Sequence, residues 1–169
     1  VPVGKHLMKL AADGMKRTTM ELGGHAPVLV FDDCDLEKTL DLVVTGKFRN
    51  AGQVCVSPTR FLVHESVYQP FVDKFVAAAK SLKVGNGLDK DTRMGPLANP
   101  RRVDAMEGFV SDAVQRGAKI QAGGKRIGNE GFFFEPTVIT DVPREARIMN
   151  EEPFGPLAPI TPFRSYDEV

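Results

Sequence analysis

Phe48-Arg49-Asn50-Ala51-Gly52-Gln53-Val54-Cys55-Val56-Ser57-Pro58 joins two periodic runs of opposite kind. Before it, Leu36, Leu40, Val43, Val44 and Phe48 form one apolar stripe at helical spacing. After it, Thr59 to His64 alternates as a strand does. The joint therefore reads as helix, glycine-containing loop, strand, with one thiol in the loop. Flexible backbone around a lone cysteine is a place where a nucleophile can be presented to a substrate. A small buried hydrophobe in a turn is the bland alternative. A second segment, Met20-Glu21-Leu22-Gly23-Gly24-His25-Ala26-Pro27, weighs against the bland reading, because a carboxylate at the end of an apolar run there meets a glycine pair. Cys55 follows Glu21 by 34 residues, room for one strand and one helix, so both groups can reach the same edge of a sheet.

Working outward, Val1 to Gly14 reads as a helix with Val3, Leu7, Leu10 and Ala11 on one face and Gly14 as its stop. Arg17 to Leu22 and Pro27 to Phe31 read as strands on either side of the Gly23-Gly24 turn. Asp33 or Asp35 caps the helix that leads to Phe48, with Glu37 early and Lys47 and Arg49 late to suit its dipole. Val67, Phe71, Phe75, Ala78 and Leu82 line the next helix. Gly85 to Ala98 is loop. Asn99-Pro100 starts a further helix with Val103, Met106, Val110, Ala113 and Val114 buried and Gly117 as its stop. Ala118 to Ala122, Phe132 to Thr140 (broken by Pro136) and Leu157 to Phe163 are strands, and Ser165 resembles a helix cap. Strands alternating with helices imply an α/β fold with a mostly parallel sheet flanked by helices.

The chain has 22 basic and 22 acidic side chains, so no long-range field draws it to nucleic acid or to an anionic membrane. No apolar run is long enough to span a bilayer. Cys34 and Cys55 are too few for a disulfide framework and fit a reducing, cytoplasmic setting. Cys34, with no reactive context, reads as a structural thiol. No metal site is expected: His64-Glu65 is followed by Tyr68 where a zinc helix needs histidine. Gly85-Asn86-Gly87 lacks the third glycine of a dinucleotide fingerprint, and His25 reads as a turn stabiliser.

Glu21-Leu22-Gly23-Gly24, then Gly52-Gln53-Val54-Cys55, then Glu151-Glu152-Pro153-Phe154-Gly155-Pro156 resemble, in order, three motifs of the NAD(P)-dependent aldehyde dehydrogenase superfamily. Lys47-Phe48-Arg49-Asn50 and Phe154 to Pro159 are most similar to the succinate-semialdehyde dehydrogenase branch. The resemblance implies a Rossmann-like catalytic fold, Cys55 as nucleophile, and Glu21 as the base that activates water, with partial burial and a raised pKa. It implies NAD or NADP as cofactor, held by Glu152 and Phe154 with Leu22, Gly23 and Gly4. Gly4 resembles the last glycine of a Gly-Ser-Thr-x-x-Gly turn whose start would precede Val1. Arg49 either pairs with a substrate carboxylate or is a dipole-matched surface arginine.

The implied reaction oxidises an aldehyde, such as succinate semialdehyde, to the carboxylate through a thiohemiacetal and a thioester on Cys55. Residues 1–22 would end a nucleotide-binding domain and 23–169 form a truncated catalytic domain. Taken alone, this segment is expected to be inactive, and its parent a homo-oligomer, dimer or tetramer. Two other classes stay open: a thiol esterase that needs no nicotinamide, and a non-catalytic module that keeps the fold.

Overall fold

The alternation across Thr59–His64 builds an interior strand of the sheet. In the computed structural model, which describes residues 1–169, β1 (Ala26–Val30), β2 (Pro58–His64), β3 (Lys119–Ala122), β4 (Thr137–Thr140) and β5 (Leu157–Phe163) form one sheet in the order β1-β2-β5-β4-β3. The β1–β2, β2–β5 and β5–β4 pairs are parallel, and only β3–β4 is antiparallel. Thr59, Phe61 and Val63 of β2 are buried. They lie on the side covered by α2 (Leu36–Phe48) and α3 (Glu65–Ser81). Phe75 of α3 anchors that side, its ring centroid 5.1 Å from Phe61 and 6.0 Å from Phe48. Each such buried ring contributes about 1.5–3 kcal/mol.

The caps select the boundaries. Asp35, not Asp33, caps α2, accepting from the Lys38 amide at 3.1 Å. α4 (Pro100–Gln115) has its proline at the first position, where no amide donor is missed. Its buried face is Val103, Met106, Phe109 and Ala113, while Val114, expected inside, is 48% exposed. α1 (Pro2–Asp13) forms as expected, but Val3, Leu7 and Leu10 are exposed. α5 (Arg147–Asn150) is a single turn that the periodicity did not announce.

Three expectations change. Arg17–Leu22 is not a strand: the chain from Lys16 to His25 is irregular and mostly exposed. Although β1 leaves one edge of the sheet open, this segment runs directly into β1 and forms no ladder with it or with any other strand. The strand expected over Phe132–Thr140 shortens to Thr137–Thr140 because Pro136 has no amide to donate. The part before it turns aside, Glu135 donating to Lys125 O at 3.0 Å and Phe133 O accepting from Ile127 at 2.9 Å. Lys47 does not lie out along the dipole of α2 but is fully buried. No helix is long and apolar enough to cross a membrane.

Candidate active site

α2 stops at Phe48, and the backbone then takes three left-handed residues in a row: Asn50 (φ 51°), Ala51 (φ 53°) and Gly52 (φ 71°). Only glycine does this freely; the others cost about 1–2 kcal/mol each. Local hydrogen bonds hold the turn. Asn50 Nδ2 donates to Gln53 O at 3.0 Å, and Gln53 Nε2 donates back to Asn50 O at 3.1 Å. Gln53 Oε1 accepts from the Ala98 amide at 2.8 Å, tying the loop to the segment before α4. Cys55 then sits exposed in a turn beyond the C-terminal end of α2. Cys34 is half-buried against the core, as a structural thiol would be. In sequence, Asn50 and Gln53 carry no role of their own, although each falls within a motif quoted above.

Close glycine contacts bring the three motifs together. The space a side chain on Gly52 would need is filled by the Gly155 carbonyl, so the cysteine loop rests on the Glu-Glu-Pro-Phe-Gly-Pro loop backbone to backbone. The corresponding space at Gly155 is filled by Met106 of α4, and that at Gly23 by the Glu152 carboxylate. Gly24 has nothing within 4 Å. Gly4 is buried, with Leu22 packed over it. Glu151 and Glu152 differ: Glu151 pairs with Arg147 at 2.9 and 3.0 Å, which holds its pKa low, while Glu152 is half-buried beside Gly23. Phe154 has φ 44°, an unusual conformation for so bulky a residue.

Glu21 is exposed, which corrects the expected partial burial. It lies on the irregular segment before β1, where no element of this chain covers it. Arg49 is also exposed, on the wall of an open cavity of about 370 Å³ with Asp41, Thr45, Val54 and Val56. The cavity thus joins Arg49 to both neighbours of Cys55. A larger cavity, of about 690 Å³, lies between β2, β5 and the C-terminal turn and contains none of the candidate residues.

Two bases lie behind the site. His25 does not brace a turn at Gly23-Gly24 but ties the start of β1 to β2 and α5: Nε2 donates to Ile148 O at 3.1 Å and Nδ1 is 2.6 Å from Thr59 Oγ1. Burial, then Arg60, lowers its pKa, so the ring is neutral and the Thr59 hydroxyl donates to Nδ1, in competition with the Ala26 carbonyl at 3.0 Å. Lys47 Nζ is buried without a hydrogen-bond partner, and burial lowers its pKa to about 7. Nothing in the sequence marks this lysine as interior.

An exposed thiol on a strained turn, seated on a second loop that carries a carboxylate and a ring, defines a class of thiol-bearing α/β domain. The aldehyde dehydrogenase family profile matches residues 1–169, and the chain belongs to that family. It is 48% identical over 167 residues to a probable succinate-semialdehyde dehydrogenase [NADP(+)] of Sinorhizobium fredii, covering 99% of this chain and 34% of that protein. It is 48% identical over its full length to 4-(hydroxymethyl)benzenesulfonate dehydrogenase of Comamonas testosteroni, covering 35% of that protein. The crystal structure of succinate-semialdehyde dehydrogenase from Burkholderia pseudomallei superposes with a TM-score of 0.95 at 45% identity, over 98% of this chain and 34% of that one. The chain therefore spans about a third of the length of these relatives.

Proposed function

We propose that this chain is the thiol-bearing part of an enzyme that oxidises an anionic aldehyde to the carboxylate with NAD or NADP. The observation that carries the reading is the seating of Gly52 on Gly155 and of Gly23 on Glu152, which gathers the three motifs at one place. The Cys55 thiolate adds to the aldehyde carbon to give the anionic thiohemiacetal, whose loss of hydride leaves a thioester on its sulfur. Glu21 then takes a proton from the water that hydrolyses the thioester, and the Cys55 amide is one donor to the developing oxyanion.

The residues present suit a dinucleotide. Gly23 lets backbone pass against the Glu152 carboxylate, an acceptor for ribose hydroxyls, and the half-buried Phe154 ring offers a flat face beside it. When bound, the nicotinamide supplies the hydride acceptor. Leu22 lies next to Gly23 and covers Gly4, so these two would shape the site's floor. Residues 1–22 would belong to a nucleotide-binding domain, with 23–169 as the catalytic one. The named substrates of the two relatives share a feature: a carboxylate or a sulfonate set apart from the carbon that is oxidised. Arg49, on the wall of the cavity that Val54 and Val56 also line, is the group that would meet it.

The test uses Glu21→Gln in the full-length enzyme that carries this segment. Mixing with succinate semialdehyde and dinucleotide should give a burst of NAD(P)H near one equivalent, then slow turnover, since acylation survives and deacylation does not. Wild-type turnover would remove Glu21 from the mechanism. Nitrophenyl-ester hydrolysis without any dinucleotide-dependent oxidation would favour a thiol esterase.

A further inference from the structure

We infer that Arg102 is a positioning residue for the dinucleotide, acting by clamping the Glu-Glu-Pro-Phe-Gly-Pro loop; this rests on the proposed roles of Glu152 and Phe154. Arg102 lies in the first turn of α4. Its Nη2 donates to the Pro153 carbonyl and, at 3.3 Å, to the Phe154 carbonyl. Those two carbonyls belong to the peptide groups on either side of the Phe154 α-carbon. One guanidinium nitrogen bonded to both fixes the orientation of both planes, and with them the φ of 44° that Phe154 adopts. A bulky residue holds such a conformation only where its surroundings over-determine it.

Helix stability does not account for this arginine. A cation in the first turn faces the positive end of the helix dipole, and α4 has no acidic residue there to offset it. Burial also disfavours the charge, with Glu152 acting in the opposite direction, and Nε is buried without a partner. Arg102 therefore sits at a cost to α4, and the loop is what it holds. Met106, one turn further along the same face, fills the space at Gly155. The two side chains make that face of α4 a bed for the loop: Met106 sets its depth and Arg102 its twist. Glu152, two residues before Phe154 on the same loop, makes no ion pair with the guanidinium but is near enough to favour its charge.

Without the clamp, Phe154 is free to leave the left-handed region, and only the fraction of loops still in it binds. If that fraction drops to about a tenth, the apparent Kd rises about ten-fold. The experiment measures Kd for NADPH and NADH by fluorescence, KM for dinucleotide and for aldehyde, and Tm, in the full-length enzyme. In Arg102→Met, dinucleotide Kd and KM should rise about ten-fold while the aldehyde KM stays within two-fold, and Arg102→Lys should recover part of the loss. An unchanged Kd in Arg102→Met, or a loss that falls equally on both KM values and tracks Tm, overturns the inference. Glu152→Gln and Phe154→Ala serve as the control. If they weaken dinucleotide binding and Arg102→Met does not, only the clamp is wrong. If they too leave Kd unchanged, the reading of the loop as a cofactor site has failed first.

Discussion

The cysteine loop and the segment that carries Glu21 are built in opposite ways. Around Cys55 the chain has three left-handed residues, reciprocal Asn50–Gln53 hydrogen bonds, a tie to Ala98 and a glycine pressed on Gly155. From Lys16 to Gly24 the backbone is irregular and mostly exposed, and its firm contacts are Leu22 on Gly4 and Gly23 against Glu152. The geometry of the proposed nucleophile is thus fixed from within this chain, by strain that neighbours hold in place. The carboxylate's is not. A reaction in which one group must be aimed at carbon and the other only at water fits such an asymmetry.

The largest effect expected on the built side is a gain. Lys47 is fully buried with its pKa lowered from 10.5 to about 7 by burial. Between those values the unfolded chain binds more protons at this group, so stability rises with pH through the window and its contribution is lowest below it. Lys47→Met removes the burden. It should stabilise the chain at neutral pH by about 4 kcal/mol and flatten the rise in urea midpoint between pH 7 and 10. An unchanged slope would mean that Lys47 finds a partner or water.

Glycine substitutions break the comparison directly. Gly52→Ala puts a methyl group on the Gly155 carbonyl at φ 71° and should destabilise the chain by about 3 kcal/mol, with loss of Cys55 reactivity. Gly24→Ala meets nothing within 4 Å and should stay within about 0.5 kcal/mol. Equal effects at both sites would erase the distinction between the two regions.

Arg49→Ala sharpens it further. A paired arginine–carboxylate contact is worth about 1.5–3 kcal/mol, so kcat/KM for succinate semialdehyde should fall about ten- to a hundred-fold in the full-length enzyme. Butanal, of equal length without the carboxylate, should be nearly unaffected. A matching loss with butanal would make Arg49 a support of the loop instead.

Much of this was legible in the sequence because it is local. The stripe ending at Phe48, the Asn99-Pro100 start and the alternation in β2 each depend on neighbours a few residues away, and each formed. Arg17–Leu22 has a strand's composition, but a strand also has to lie alongside a partner, and no local pattern reports whether the chain brings it there. Lys47 shows the same limit from the side of burial: a lysine in a last helical turn reads as dipole-matched surface until packing encloses it. Arg102 and Gln53 act on backbone carbonyls and amides 43 to 52 residues away, and sequence spacing carries no trace of that.

The central claim is that Cys55 is the nucleophile, and covalent labelling tests it most directly. Brief iodoacetamide treatment followed by peptide mapping should modify Cys55 well before Cys34, and aldehyde oxidation by the full-length enzyme should disappear in step with Cys55 modification. Cys34 reacting first, or activity that survives complete modification of Cys55, would contradict the account.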